Sequence, residues 1–246
     1  MASLGMWDKK RGVVFPLKYS NELAELFGIY AGDGCLHVCR RGTAVEYRFV
    51  VTGNATESSY LEYVNSLVKL LFNLSSAVSP RHYLNRNWSV LIYRSKGIVT
   101  YFEEKGYPPG RKEHISIPVW ILDDDVFSLN FLRGLFDTDG HLAIVKKGRF
   151  NAYPVISIQL KPKEIIEEVF KLLEGFGFKA NAYFDVAEKD RRTNKFSIKN
   201  HIYLNGWRNF ILWKNIVGSS NPKNIEKINR LDAILANNPL PKYLQH

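Results

Sequence analysis

The chain has 246 residues, of which 46% are hydrophobic, and this composition excludes a disordered tail. Lysine and arginine outnumber aspartate and glutamate by 34 to 24, which gives a formal net charge of +10 and favours a polyanionic partner such as nucleic acid. Two cysteines are too few for a disulfide framework, and no apolar run approaches the ~20 residues of a membrane span. We therefore expect a soluble, intracellular protein with no membrane partner, in the cytoplasm of a prokaryote or in an organelle.

The first predicted elements follow an N-terminal extension at residues 1–19. Ser20 is a typical N-cap, and it predicts a helix that ends at Ala31-Gly-Asp-Gly34. Hydrophobic periodicity then predicts strand, strand, helix, strand, strand and helix at residues 35–41, 46–52, 57–72, 77–85, 88–94 and 98–105. Residues 20–105 thus form one αββαββα repeat.

The same order returns after a proline-containing linker at residues 106–125. A helix ending in Asp137-Thr-Asp-Gly140 precedes strands at 141–147 and 153–160, a helix at 163–174, strands at 180–186 and 196–204, and a helix at 207–216. Asp139 lies 106 residues after Asp33, so the second repeat occupies residues 126–246. The predicted fold class is α+β, with two pseudo-symmetric αββαββα repeats.

Small residues mark one face of each motif helix. Gly28 and Gly32 lie inside the first helix, where each costs about 1 kcal/mol relative to alanine. Gly134 and Thr138 stand at the matching positions of the second helix. Small side chains allow two helix backbones to approach closely, which predicts that the two motif helices pack around a pseudo-twofold axis.

That packing would place Asp33 and Asp139 at neighbouring C-terminal helix ends, where the helix dipole is negative. Two carboxylates there repel each other unless a cation is bound, and their hard oxygen atoms suit Mg²⁺. Metal-assisted phosphodiester hydrolysis is the chemistry that such a site serves. The alternative for each aspartate is a solvated Asp-Gly turn, which the duplication disfavours. Asp137, whose counterpart is Ala31, is expected to be a peripheral or capping charge.

The two motifs resemble those of the LAGLIDADG homing endonucleases in their single-chain, two-repeat form. The matching sequences are LFGIYAGDG at 26–34 and LRGLFDTDG at 132–140. The resemblance implies a monomer with a DNA-binding saddle of antiparallel sheets, active in intron homing on a long double-stranded DNA site that it cuts with 3′ overhangs. It implies Mg²⁺, or Mn²⁺ as a substitute, at a metal site assigned to Asp33, Asp139, Gly32 and Thr138.

The resemblance also implies a basic catalytic residue near the end of each repeat. The segments that end in Lys112 and Lys223 align with each other, and these two lysines are the candidates. The alternative for each is a solvated surface charge. The family commonly has a water-positioning glutamine at the end of the second strand, but Gly53 and Leu160 stand at those places here, next to Asn54, Gln159 and Lys161.

Alternate strand residues predict a DNA-reading surface, because a two-stranded ribbon fits the major groove. The two halves differ at almost every such position, so we expect an asymmetric target. Arg191 and Arg192 are expected to contact phosphates, whereas sheet packing is the alternative for the tyrosines. The expected contacts of the first half are His37, Cys39, Arg41, Glu46, Arg48, Arg81, Tyr83 and Asn85. Those of the second half are Lys147, Tyr153, Ser157, Gln159, Tyr183, Asp185, Arg191 and Arg192.

Two other functions remain open for the same fold. An RNA-binding intron maturase would need the basic surface but not the paired acids. A catalytically inactive DNA-binding regulator would have lost a motif acid. The presence of both Asp33 and Asp139 favours the nuclease.

Overall fold

The computed structural model describes residues 1–83, 86–147, 150–189 and 194–237. The chain divides into two compact units, Met1–Thr138 and Asp139–His246. The boundary falls at the end of the second motif helix, because that helix packs within the first unit. The sequence repeats and the compact units are therefore different divisions of the chain.

The first unit contains the first predicted repeat and the second motif helix. Its elements are α1 (Met6–Lys10), α2 (Asn21–Ala31), β1 (Gly34–Arg41), β2 (Ala44–Asn54), a 3-10 turn (Ala55–Glu57), α3 (Ser58–Phe72), β3 (Ser79–Tyr83), β4 (Arg86–Tyr93), α4 (Lys96–Glu104), α5 (Val119–Leu122) and α6 (Asp125–Asp139). The predicted order from α2 to α4 is confirmed, whereas α1 and α5 lie in segments that the sequence analysis treated as extension and linker.

An antiparallel sheet with the strand order β1-β2-β4-β3 forms the centre of this unit. Leu36, Phe49 and Leu91 are fully buried on the face of the sheet that carries α3 and α4. Cross-strand pairs on the other face include His37 with Arg48, and these side chains remain at least partly exposed. We call this second face the open face.

The N-terminal extension is tied to the first unit through Asp8, whose side chain is only 2% exposed. Its Oδ2 accepts hydrogen bonds from the backbone N–H groups of Gly97 (2.8 Å) and Gly5 (3.0 Å). Its Oδ1 lies 3.0 Å from the guanidinium of Arg11. Because Gly97 lies in the first turn of α4, a carboxylate there offsets the positive end of the helix dipole.

The second unit repeats the arrangement. Its elements are β5 (Gly140–Lys147), β6 (Phe150–Leu160), α7 (Lys163–Gly175), β7 (Ala180–Lys189), β8 (Phe196–Asn205), α8 (Gly206–Ile216) and α9 (Pro222–Asn237), and its antiparallel sheet has the order β5-β6-β8-β7. Leu142 and Ile156 are buried on one face. The open face carries the alternate residues, among them Ser157 and Gln159, which pair with His141 and His201.

Helix α9 was not predicted from the sequence. Asn221 accepts a hydrogen bond from the backbone N–H of Lys223, and Pro222 occupies the first helical position, which is where proline is favoured. Ile228 and Leu231 are buried on its inner face. The Asn-Pro pair was thus an available signal for this helix. Across the described part of the chain, no helix has both the length and the apolar composition of a membrane span.

Candidate active site

The two motif helices cross in the first unit with their backbones in contact. A Cβ atom added to Gly28 would lie 2.1 Å from the carbonyl oxygen of Phe131, and one added to Gly134 would lie 2.1 Å from that of Glu25. The two contacts are equivalent under the repeat, because Gly134 lies 106 residues after Gly28 and Phe131 lies 106 residues after Glu25. No side chain fits at either glycine, and the close packing of the motif helices predicted from the sequence is observed.

Asp33 follows the end of the first motif helix and is exposed. The backbone N–H of Gly32 donates to the carbonyl of Gly28 (3.2 Å), which closes the last turn of α2. A Cβ on Gly34 would lie 2.5 Å from the Cα of Tyr30, so the residue after the aspartate must be glycine. The chain therefore leaves the helix sharply into β1, with the Asp33 carboxylate at the turn.

Lys112 lies directly at this helix end. Its ammonium donates hydrogen bonds to the carbonyls of Tyr30 (3.0 Å), Ala31 (2.9 Å) and Gly32. It thus caps the C-terminal carbonyls of α2 and places a positive charge at the negative end of the dipole. Burial raises the pKa of the nearby Cys35 thiol, against the opposing effect of the Lys112 charge.

The second unit places basic groups at the start of β5, beside the second motif acid in the sequence. Asp139 is the last residue of α6 and is half-buried. Lys227, on α9, donates a hydrogen bond of 2.9 Å to the carbonyl of Leu142. Burial, together with the charges of Lys227 and Lys223, lowers the pKa of the His141 imidazole. Lys223 was predicted from the sequence, whereas Lys227 was not, because both lie on α9, a helix that was not predicted.

The equivalent backbone position in the first unit has a different partner. The carbonyl of Leu36, which lies 106 residues before Leu142, accepts a hydrogen bond of 2.9 Å from the backbone N–H of Gly110. One repeat therefore closes this position with a backbone amide and the other with a lysine. Lys112 and Lys227 hold different carbonyls, so the structure does not assign them as direct equivalents.

The donor groups fit a metal that completes its coordination shell with water and substrate. Among the described residues, no group of three or more histidine, cysteine, aspartate or glutamate side chains could hold a metal ion. Mg²⁺ is commonly held by one or two carboxylates, with waters and phosphate oxygens as its other ligands. The carbonyl of Gly32 already accepts from Lys112, and the Thr138 hydroxyl donates to helix carbonyls at Gly134 and Leu135. The motif carboxylates are therefore the main candidates.

Asp137 does not lie where the sequence analysis placed it. Its side chain is buried at 5% exposure, so the prediction of a peripheral or capping charge was wrong. Glu25 is also buried; it accepts a hydrogen bond of 2.9 Å from the Tyr63 hydroxyl and lies 3.6 Å from Arg133. Burial, followed by the charges of Asp137 and Glu25, raises the pKa of Tyr60. These five residues form what we call the polar cluster.

On the open face of the first sheet, most of the predicted nucleic-acid contacts are neighbours. His37 pairs with Arg48 and Cys39 with Glu46 across β1 and β2. Glu46 binds Arg48 and also Arg94, at 3.0 Å. The hydrogen bond from Arg48, together with the Arg94 guanidinium, lowers the pKa of Glu46 to about 2. The carboxylate thus orients two guanidinium groups on this face.

The remaining candidates of the first half lie at the outer strands. Arg81 on β3 is in register with Trp88, which pairs with Asn54 on β2, so it shares the open face. Arg41 is the last residue of β1, and Tyr83 is the last residue of β3. Asn85 lies outside the described residues.

The open face of the second sheet also brings predicted residues together. Tyr153 pairs with Val145, and the ammonium of Lys147 lies 4.5 Å from the centre of the Tyr153 ring. Gln159 and Tyr183 both pair with His201, from opposite sides of β8. Ser157 lies two residues before Gln159 on the same face. Arg191 and Arg192 lie outside the described residues.

The alternation that assigned Asp185 to the same face as Tyr183 does not hold. The register of β7 against β8 shifts between Tyr183 and Val186, and Asp185 has a φ of 55°. Its carboxylate lies 2.5 Å from the ammonium of Lys163, at the start of α7. A β-bulge breaks the period-two pattern, and the sequence analysis had no signal for it.

Known proteins with similar sequences and similar folds share this arrangement of helices and strands. Residues 127–228 match the family description "LAGLIDADG-like domain". This part of the chain, about two fifths of its length, is therefore similar to a LAGLIDADG-like domain. The match runs from the first turn of α6 to the first half of α9 and includes Asp139, Lys223 and Lys227. Together with the structural similarities below, it confirms the resemblance that the two motifs indicated.

Solved homing endonucleases share the LAGLIDADG fold of the chain. A structure of mesophilic variants of I-DmoI has a TM-score of 0.57 at 18% identity and covers 85% of this chain and 97% of that one. I-DmoI in complex with DNA and Mn has a TM-score of 0.54 at 21% identity, with 81% and 97% covered. A K262A mutant of I-SmaMI has a TM-score of 0.54 at 14% identity, with 89% and 93% covered.

A curated relative is the uncharacterized protein MJ0314 of Methanocaldococcus jannaschii. It is 22% identical over 177 residues, which is 72% of this chain. The matched region spans 61% of the length of that relative. The α+β fold with two four-stranded antiparallel sheets is confirmed by the structural comparisons.

Proposed function

We propose that this LAGLIDADG protein is a site-specific DNA endonuclease that acts as a monomer and cuts both strands of a long, asymmetric duplex with 3′ overhangs. The observation that carries the proposal is the duplicated end of the motif helix. In both halves an aspartate lies at the C-terminal end of a closely packed helix and directly precedes a glycine that starts a strand: Asp33 follows α2, and Asp139 is the last residue of α6. Solved relatives of the same fold include complexes of I-DmoI with DNA and Mn, Ca or Mg.

Asp33 and Asp139 would hold Mg²⁺, or Mn²⁺ in its place, and Gly32 and Thr138 are the neighbouring residues assigned to the same metal site. When bound, such an ion activates water and stabilises the leaving oxygen in phosphodiester hydrolysis. Lys112 balances the negative charge at the end of α2, which lowers the electrostatic cost of bringing a phosphate to Asp33. Lys223 and Lys227 provide positive charge near β5 in the second unit.

The open faces of the two sheets would carry the DNA. A basic protein surface binds phosphates without sequence information, whereas side chains on a ribbon in the major groove read base edges. The first open face offers paired arginines at Glu46, and the second offers Tyr153, Gln159 and Tyr183. Because these sets differ, the two half-sites of the target should differ in sequence.

The test is cleavage of a library of long random duplexes with Mg²⁺, followed by sequencing of the cut ends. The wild-type protein should give staggered double-strand cuts at one sequence, and Asp33→Asn or Asp139→Asn should reduce these to nicks or to nothing. Asp123→Asn removes an exposed acid outside the motifs and serves as the matched control. Metal-independent cutting, or duplex binding with no cutting by any of the four proteins, would contradict the proposal and favour a maturase or a regulator.

A further inference from the structure

The centre of the second open face contains a buried histidine. His201 is 2% exposed, and neither of its ring nitrogens makes a hydrogen bond with any of the described residues. Its Nε2 lies 3.3 Å from Oε1 of Glu188, and its ring lies parallel to that of Tyr203 at 6.1 Å. A buried polar group without a hydrogen bond costs stability, so an apolar residue would be expected here if the position only filled space.

Glu188 and Lys199 lie above this histidine on the same face. Oε2 of Glu188 is 2.9 Å from the Lys199 ammonium, and the two side chains are 37% and 34% exposed. The hydrogen bond from Lys199, together with the Lys199 charge, lowers the pKa of Glu188. The pair therefore presents a charged acceptor and a charged donor side by side.

Glu188 differs from the other carboxylate described on an open face. In the first sheet, Glu46 uses one oxygen for Arg48 and the other for Arg94. In the second sheet, Lys199 takes one oxygen of Glu188, whereas Oε1 faces His201 without a hydrogen bond between them. Oε1 of Glu188 thus retains capacity to accept a hydrogen bond from a ligand.

A carboxylate on a surface that binds DNA restricts what can lie opposite it. Phosphate oxygens repel it, and the donors on base edges in the major groove are the exocyclic amines of cytosine and adenine. Lys199, adjacent to it, needs an acceptor, and guanine offers two in the major groove, O6 and N7. A C·G pair supplies both complements at once, whereas thymine in an A·T pair brings a methyl group towards the ammonium.

We propose that Glu188 and Lys199 are specificity-determining residues that read one C·G base pair in the half-site bound by the second sheet. Glu188 accepts from the cytosine N4 amine, and Lys199 donates to guanine O6 or N7. His201 is a positioning residue that supports Glu188 from below. This assignment rests on the proposed function, since it requires that the open face binds DNA.

The test separates recognition from cleavage. Duplexes are selected from a random library by binding to a double variant, Asp33→Asn with Asp139→Asn, and the bound sequences are determined. The same selection is then repeated with Glu188→Gln or Lys199→Met added. The matched control is Glu174→Gln, an exposed glutamate on α7, in the helix layer. Glu188→Gln and Lys199→Met should each lower the preference for C·G over other base pairs by about tenfold or more, and both should do so at the same position of the site.

His201→Phe should relax that same position with little change in affinity for the other positions, which a merely structural role would not produce. Because this variant could fail to fold, its melting temperature is measured alongside, and Glu188→Gln carries the test without it. Selection of an unchanged base by Glu188→Gln, or relaxation at an A·T position, would overturn the assignment while leaving DNA binding intact. Selection of no duplex at all by the parent protein would overturn the proposed function and the assignment together.

Discussion

The two sides of the crossing between α2 and α6 have opposite chemistry. One side contains the polar cluster, in which Glu25 is bonded by Tyr63 and approached by Arg133. The equivalents of Glu25 and Arg133, 106 positions away, are Phe131 and Phe27, and both are fully buried. Phe27 belongs to an aromatic cluster that also contains Tyr30, Phe102, Tyr107 and Trp120.

This difference shows what maintains the pseudo-symmetry of the motif helices. The rings of Phe27 and Phe102 stack at 4.5 Å on one side, whereas buried Glu25 meets partly exposed Arg133 on the other. The two sides share the backbone contact at Gly28 and Gly134. The crossing is thus fixed by shape at the glycines, and the surrounding side chains need only fill space and satisfy one another.

The largest expected effect comes from substitutions at the shared contact. Gly28→Ala and Gly134→Ala would each bring a methyl group to 2.1 Å from a backbone oxygen, and we expect a loss of about 4 kcal/mol or more in the free energy of unfolding from each. Gly175→Ala, in α7, meets no atom within 4 Å and is the matched control. Chemical denaturation measures all three, and a small effect at either crossing glycine would show that the side chains set the helix spacing.

A smaller loss in the free energy of unfolding is expected in the polar cluster, where the hydroxyl groups of Tyr63 and Tyr60 should contribute differently. Tyr63→Phe removes a hydrogen bond to buried Glu25 and should cost about 1.5–3 kcal/mol. Tyr60→Phe removes a buried hydroxyl that has no hydrogen-bond partner among the described residues, and its effect should be near zero or stabilising. Equal losses for the two variants in denaturant unfolding would contradict the assigned roles.

Substitution of Lys112, at the end of α2, and of Lys227, beside β5, tests whether the two repeats use their basic residues differently. Lys112→Met removes the cap on three helix carbonyls and should destabilise the fold by about 1–2 kcal/mol. Lys227→Met removes the hydrogen bond to the carbonyl of Leu142 in the second unit and serves as the comparison. If the protein is a nuclease, Lys112→Met should slow the cutting of one strand on the order of 100-fold more than the other. Strand-specific end labels report this, and equal slowing of both strands would refute it.

The smallest expected effect is the contribution of the Glu46 carboxylate, on the first open face, to the pH dependence of stability. The pKa of Glu46 is about 2 in the folded protein and 4.5 for the free side chain. A carboxyl group whose pKa is lowered by folding stabilises the fold above its unfolded pKa, and that stabilisation is lost as the pH falls from about 4.5 to about 2. The stability difference between wild type and Glu46→Gln should shrink over this window. A difference that stays constant with pH would argue against the arginine contacts.

The sequence predicted those parts of the structure that repeat or alternate. Two glycine-containing motifs 106 residues apart were sufficient for the helix crossing, and strand periodicity was sufficient for the open faces. The burial of Asp137 near Tyr60 of α3 could not be predicted, because the two residues are distant in the sequence. The bulge at Asp185 and the position of Lys227 on α9 also depend on contacts that periodicity does not encode.

The glycine crossing also bears on how the two halves of such a chain can diverge after a duplication. A contact between two backbones places no demand on the chemistry of neighbouring residues, so Glu25 and Phe131 can occupy equivalent positions without moving the helices apart. Mutations can then accumulate independently on either side of the crossing. A duplicated gene could in this way acquire two dissimilar recognition surfaces while its motif acids remain at the same helix ends.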